Sequence, residues 1–216
     1  MEKKLISIVT PCYNEEKNVV KLYEQVKSII DSKLSSYTYE HIFIDNASTD
    51  RTVEFLKNIA KVDKNIKIII NSRNFGHIRS PVHGMMQASG DVVISLVADF
   101  QDPPEMIVEF IQAYEKGSNI VLGIKKSSRE NSLMYKARSL YYGLLYKVSD
   151  VEIFRNYTGF GLYDKKSMHA LREMPDAYPF FRGMIAEIGY KVRKISYSQP
   201  KRYKGATKNN FYTLYD

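Results

Sequence analysis

Two carboxylates end an apolar run. In "VVISLVADFQDPPEM" (92–106) core-type residues give way to Asp99 and Asp102, which bracket Phe100 and Gln101 and precede Pro103 and Pro104. Carboxylates on a tight turn suit a hard divalent cation such as Mg2+ or Mn2+. Such an ion takes one or two of them together with waters and substrate phosphates. The competing use is local, since an acid just ahead of a proline-led helix can cap it, and this suits Asp102 in particular.

Three other segments share this character: "TPCYNEE" (10–16), "DNASTD" (45–50) and "NSRNFGH" (71–77). The four segments follow, in chain order, the short apolar runs "LISIVT" (5–10), "HIFID" (41–45), "IKIIIN" (66–71) and "VVISLV" (92–97); "NIVLGI" (119–124) is a fifth such run. Continuous rather than alternating apolar character predicts strands covered on both faces. Helical spacing fills the gaps, over 15–31 (Val19, Leu22, Val26, Ile29), 50–61 (Val53, Leu56, Ile59), 79–89 and 104–116. Ser48 and Asp50 stand where the second helix needs caps. Alternating strands and helices imply an α/β fold built on a mostly parallel sheet with right-handed crossovers. Ligands of such sheets lie beyond the carboxyl ends of the strands, so the four polar segments fall on one edge where a ligand belongs.

Beyond residue 125 the pattern changes. An amphipathic helix is predicted across 132–148, either packed in the core or lying at a membrane interface with Lys136, Arg138 and Lys147 reaching outward. A strand or turn at "NYTGFGLYD" (156–164), helices near 165–173 and 179–189, and a basic strand-like stretch at 190–199 follow. The whole of 1–216 reads as one domain, with 126–216 an appended part of the unit begun by 1–125.

Composition fits a soluble globular chain, at 44% hydrophobic and 26% charged residues. The lone Cys12 excludes an internal disulfide and any cysteine-rich zinc site. The N-terminal apolar stretch is too short for a signal peptide, and no run approaches the roughly 18 apolar residues of a membrane span. The formal charge of +8 is unevenly placed: across 188–215 there is no acid, while Lys191, Arg193, Lys194, Lys201, Arg202, Lys204 and Lys208 occur among tyrosines. This points to a polyanion partner such as nucleotide or lipid phosphate. Nucleic acid is disfavoured because acids at every strand tip would repel it. A dinucleotide oxidoreductase is disfavoured because no G-x-G-x-x-G follows the first strand.

Taken together, "SIVTPCYNEEKNV", "FIDNASTDRTVEFL", "NFGHIRSPVHGMMQASGDVVI" and "ADFQDPPEMI" resemble the family 2 glycosyltransferases of GT-A fold. More narrowly, they resemble the polyprenyl-phosphate sugar transferases of the dolichol-phosphate mannosyltransferase and bactoprenol glucosyltransferase type. The likeness runs on through "GLYDKK" and "QPKRYKGATKNN". It implies a metal-dependent, inverting transfer of a sugar from a nucleoside diphosphate to a polyprenyl phosphate in cell-envelope glycan synthesis. By this resemblance 1–125 is the nucleotide-sugar half and 126–216 the acceptor and membrane side. Pro11, Tyr13, Glu15, Asp45, Asn46 and Ser48 lie near base and ribose, Arg73 and Gly76 belong to a segment closing over the nucleotide, and Asp99 with Gln101 holds Mg2+ or Mn2+. Arg202 and Lys208 meet phosphates at the reaction centre, and Lys125 and Arg129 serve the same cluster.

Two departures from the family pattern matter. Val97 replaces the first acid of the "DxD" motif, and Gly159 and Gly161 stand where relatives carry an acid and an arginine. A lipid phosphate is already an anion and needs no general base, so the second departure favours it over a sugar hydroxyl. The rival is a saccharide-hydroxyl acceptor with Glu187 or Asp164 as base; a further alternative is an inactive sugar-nucleotide binder. Expected partners are a nucleoside-diphosphate sugar (UDP in preference to GDP), a polyprenyl phosphate and an anionic membrane surface, with homo-oligomerisation open. The chain stops at "NNFYTLYD", where many relatives continue into membrane helices, so the resemblance implies a membrane-anchored protein at the cytoplasmic face of the cell membrane.

Overall fold

The computed structural model describes residues 3–126, 154, 156–174 and 179–204. One sheet contains β1 (Leu5–Cys12), β2 (Thr38–Asp45), β3 (Ile66–Ile70), β4 (Val92–Ser95), β5 (Ile120–Lys125), β6 (Tyr157–Asp164) and β7 (Val192–Tyr197), in the order β3-β2-β1-β4-β6-β5-β7. Around it lie α1 (Val19–Lys33), α2 (Thr52–Val62), α3 (Gly76–Met86), α4 (Met106–Glu115), α5 (Lys165–Arg172) and α6 (Phe181–Glu187). β1 runs parallel to β2 and β4, β2 to β3, and β5 to β7, while β6 is antiparallel to both β4 and β5.

Both faces of the sheet are covered, which is why the strands read as continuous apolar runs. Ile6, Ile8, Phe43, Val92 and Ile94 pack with Val19, Leu22 and Val26 of α1, Leu56 of α2, and Ile107 and Phe110 of α4. On the other face Val9, Ile42, Ile44 and Val93 meet Val82 and Met85 of α3, Met168 and Leu171 of α5, and Met184 and Ile185 of α6. Each such side chain, fully buried, stabilises the fold by ~1.5–3 kcal/mol. The expected 132–148 helix lies outside the described residues.

Local chemistry shapes the starts of two helices. α3 begins at Gly76 rather than 79, leaving Pro81 in its second turn. Ahead of α2, Asp50 Oδ1 accepts from the Thr52 N–H at 3.0 Å, but Ser48 is spent elsewhere: its Oγ accepts from the Asn14 N–H at 2.8 Å. The expected cap at Ser48 is thus a tie between two loops.

His41 is buried inside the sheet, stacked at 3.9 Å on Phe43 and 2.8 Å from Thr10 Oγ1, with Nδ1 unpartnered. Burial pushes its pKa down to about 3. Below pH ~6.5 the unfolded chain takes a proton that the folded chain refuses, so stability falls as pH drops from there towards 3. Between pH 7 and pH 4 this one group is expected to cost ~3 kcal/mol. Denaturant titration at both pH values should show that loss largely relieved in His41→Gln.

Candidate active site

The parallel strands β1, β2 and β4 end on one edge, and the chain turns sharply after each. Asn14, Ala47 and Phe100 adopt positive φ of 54°, 61° and 63° there, and Asn156 (58°) enters β6 at the same edge. Among the described residues these are the only non-glycine positions in that region. Asparagine tolerates it, but Ala47 and Phe100 each carry strain of ~1–3 kcal/mol that the surroundings must impose. Side chains do so. Asn14 Oδ1 accepts from the Thr49 N–H at 2.7 Å, Asp45 Oδ2 from the Ser48 N–H at 2.9 Å, and Asp99 Oδ1 from the Gln101 N–H at 3.0 Å.

Asp45 ends β2 fully buried, and its Oδ1 has no hydrogen-bond partner. An orphaned buried carboxylate oxygen costs at least ~1–3 kcal/mol, and an incoming N–H such as that of a nucleobase would remove this cost. Pro11 and Tyr13 lie half-buried where β1 ends beside β2, with Pro11 opposite Ile44.

The centre of the site is a charge triplet. Arg202 Nη2 lies 2.8 Å from Asp99 Oδ2, and Arg202 Nη1 lies 3.4 Å from Glu15 Oε1. The two carboxylate side chains are 8% and 11% exposed, so a single guanidinium is shared by two nearly buried acids. Its Nε is buried without a partner. Asn18, which the sequence reading overlooked, donates from Nδ2 to Glu15 Oε2 at 2.5 Å and to the Lys204 carbonyl at 3.2 Å. The Tyr203 N–H donates to the Asp99 carbonyl at 3.0 Å, and the Tyr203 ring packs edge-on against Phe100 with Lys21 Nζ 3.6 Å from its centroid. Residues 202–204 thus lie directly across the tips of β1 and β4.

The donor set fits a divalent ion only in partnership. Asp99 Oδ2 already faces a positive charge, and the Gln101 side chain is half-buried beside it. Among the described residues no three His, Cys, Asp or Glu groups cluster as a metal cage. Mg2+ or Mn2+ held by Asp99 and Gln101 would need phosphate oxygens and waters to complete its shell, which is its common habit beside phosphates.

Several expected residues play other parts. Asp102 does not cap α4, which has no side-chain N-cap; its Oδ1 instead accepts from the Tyr197 hydroxyl at 2.8 Å. Burial, and then the Asp99 charge, push its pKa up to about 6. Asn46 spends its amide inside the protein, donating to Asn74 Oδ1 and the Gly76 carbonyl and accepting from Asn71 Nδ2 and the Phe75 N–H. It holds the 71–76 loop in place. Arg73 is exposed and stacks on Phe75, and Gly76 has a φ of 83° with open space around it. Lys125 ends β5 at this edge, whereas Arg129 and Lys208 lie outside the described residues.

Asp164 is on the wrong side of the sheet to serve as a base here. Because β6 is antiparallel, its last residue pairs with Val92 at the start of β4, on the edge opposite the site. There Asp164 caps α5, accepting from the Ser167 N–H at 2.8 Å and from Asn119 Nδ2 at 2.8 Å. Glu187 is the exposed last residue of α6, just ahead of β7, which starts opposite Ile120 at that same far edge. Gly161 has no room for a side chain, since a Cβ would stand 2.6 Å from the Val121 carbonyl oxygen, whereas Gly159 faces open space. Gly161→Ala is therefore expected to destabilise by ~1–3 kcal/mol, read from a denaturant melt.

Comparison with known proteins agrees with this layout. The model of the glycosyl transferase family 2 matches residues 7–184. An uncharacterized glycosyltransferase, YkcC of Bacillus subtilis, is 33% identical over 203 residues, covering 94% of this chain and 62% of its own length. A prophage bactoprenol glucosyl transferase homolog of Escherichia coli is 30% identical, covering 98% of this chain and 69% of its own. The chain thus spans less than two thirds of YkcC. Among solved structures, glucosyl-3-phosphoglycerate synthase of Mycobacterium tuberculosis with Mn2+, UDP and glucosyl-3-phosphoglycerate aligns with a TM-score of 0.63 at 17% identity. It covers 94% of this chain and 73% of that one. The mannosyltransferase PcManGT of Pyrobaculum calidifontis with GDP-Man and Mn2+ aligns at 0.59 and 18%, covering 94% and 59%. The shared fold is the GT-A fold.

Proposed function

We propose, since the chain belongs to glycosyltransferase family 2, that it transfers a sugar from a nucleoside diphosphate, UDP in preference to GDP, to a polyprenyl phosphate. The observation that carries the reading is the Glu15–Arg202–Asp99 triplet at the strand tips, on the sheet edge where Asp45 ends β2 with its buried Oδ1 unpartnered. Asp45 accepts an N–H of the base, Ser48 and Asn14 hold the ribose-side loops, and Asp99 with the Gln101 amide oxygen holds the metal. A divalent ion bound there would supply charge neutralisation to the departing diphosphate.

A phosphate oxygen of the acceptor attacks the anomeric carbon from the face opposite the diphosphate. The bond from that carbon to the diphosphate oxygen breaks, its electron pair leaves on the nucleoside diphosphate, and the configuration inverts. Arg202 serves phosphate well because its planar fork binds two oxygens at once. No proton need be removed from a phosphate acceptor, which agrees with the placement of Asp164 and Glu187 away from the strand tips. The bactoprenol relatives support the acceptor class. Lys191, Arg193, Lys194, Lys201 and Lys204 are exposed along β7 and the segment after it. We read this basic sheet edge, where Arg193 and Lys194 point to opposite faces, as the border turned to anionic lipid at the cytoplasmic side of a membrane, at ~1 kcal/mol for each residue near the surface. Among the described residues no helix is long and apolar enough to cross one.

Calorimetric titration of UDP and GDP, with and without Mn2+, tests the donor site. Metal-dependent binding of one nucleotide supports the reading, and transfer from the matching sugar nucleotide to undecaprenyl phosphate completes it. Absence of binding under every metal would sink it.

A further inference from the structure

We infer that Asp102 and Tyr197 form a positioning pair that sets the reach of Arg202, an assignment that rests on the proposed transferase reading for its kinetic consequence but not for its geometry. Asp102 follows the candidate metal residues in sequence, yet its carboxylate is 3% exposed and turned to the Tyr197 hydroxyl at 2.8 Å and the Val97 amide. Tyr197 is the last residue of β7, a strand at the sheet's edge that, among the described residues, pairs only with β5. Its ring is buried edge-on against Phe160, and its carbonyl accepts from the Lys126 N–H at 2.8 Å.

From Tyr197 the chain leaves regular structure, and Arg202 is the next residue to contact a carboxylate at the site. The backbone is pinned again at Tyr203, whose N–H reaches the Asp99 carbonyl. Both pins sit on one short loop: Asp102 holds the root of the 198–204 segment and Asp99 holds its tip. The loop that offers the metal ligands therefore also fixes where the phosphate-binding guanidinium can stand. A buried carboxylate is a costly way to fill space, because an apolar residue would pack there without desolvating a charge. Its use for one hydroxyl and one amide marks a geometric duty.

Tyr197→Phe tests this, because it keeps the ring against Phe160 and removes only the hydroxyl. Amide exchange across 198–204 should accelerate about tenfold while β1 and β4 keep their protection, the scale of one hydrogen bond to a charged group. Binding of Mn2+ with UDP or GDP should stay within about twofold, whereas turnover on undecaprenyl phosphate should fall about tenfold, again the loss of one such bond. Asp102→Asn keeps an acceptor oxygen and should retain most of that turnover. Combined with Arg202→Gln, Tyr197→Phe should cost nothing further, since its effect travels through Arg202. Unchanged exchange across 198–204, or fully additive losses in the double variant, would overturn the assignment. If the wild-type protein transfers no sugar at all, the function proposed above fails, and the exchange result still decides the pair.

Discussion

Asp99→Ala is expected to abolish metal-dependent nucleotide binding and to cut sugar transfer by about 10³-fold, the several kcal/mol that a Lewis-acid cation gives to leaving-group departure. The size follows from how little else is available. Asp99 is the one carboxylate at the tip of β4 that faces the site, because Asp102 is committed to Tyr197 and Val97 stands where the usual first acid would be. Waters cannot replace a protein anchor in a shell that already borrows most of its ligands from phosphate. The substitution also strands Arg202, which among the described residues would keep the 3.4 Å contact to Glu15 as its ion pair. Calorimetry of UDP and GDP with Mn2+ reads the first effect, and product formation from the matching sugar nucleotide reads the second. Asp99→Ala that still binds nucleotide in a metal-dependent manner would show that the ion sits elsewhere.

Arg202→Gln is expected to act in two opposite directions. Turnover should fall about 10²-fold, the upper range for losing a charge-assisted bond to phosphate. Binding of Mn2+ to the nucleotide-free protein should instead become tighter. In the wild type Arg202 neutralises Asp99 at 2.8 Å, so an incoming cation competes with it. Without it, Glu15 and Asp99 are two nearly buried carboxylates with one fewer positive charge, and a divalent ion relieves their repulsion. Arg202→Lys should fall between the two, because one ammonium cannot span both acids as a fork does. Titrating Mn2+ without nucleotide separates this from a generally damaged site, which would bind the metal more weakly.

The sequence carried the strand tips well and the return strand badly. Apolar runs closing in "DN" and "DF" marked Asp45 and Asp99, because in a parallel sheet every strand delivers its last residue to the same edge. The rule gives no guidance for Asp164, offered as a base in the saccharide-acceptor alternative. The run at 156–164 reads as a strand whichever way it lies, and pairing antiparallel to β4 carries its final acid to the far edge. Gly159 and Gly161 stand where relatives carry an acid and an arginine, and the structure adds that at Gly161 the Val121 carbonyl leaves no room for a Cβ. Asn46 matched a binding motif, yet its amide is consumed in holding the loop after β3. The links from Asn18 to Lys204 and from Asp102 to Tyr197 join residues 186 and 95 positions apart. No local spacing encodes such contacts, so they were legible only once the sheet was assembled.

The antiparallel strand also dictates an order of assembly. β4 and β5 do not touch as partners, and the slot between them belongs to β6, which the chain supplies only from Tyr157 onward. During synthesis the first four strands can therefore pair as β3-β2-β1-β4, while β4 keeps an open seam and β5, whose partners are β6 and β7, waits unpaired. The segment that closes the seam also brings β7, and with it Arg202, to the tips of β1 and β4. A nascent chain thus gains its full set of charges at the strand tips only after its sheet is sealed.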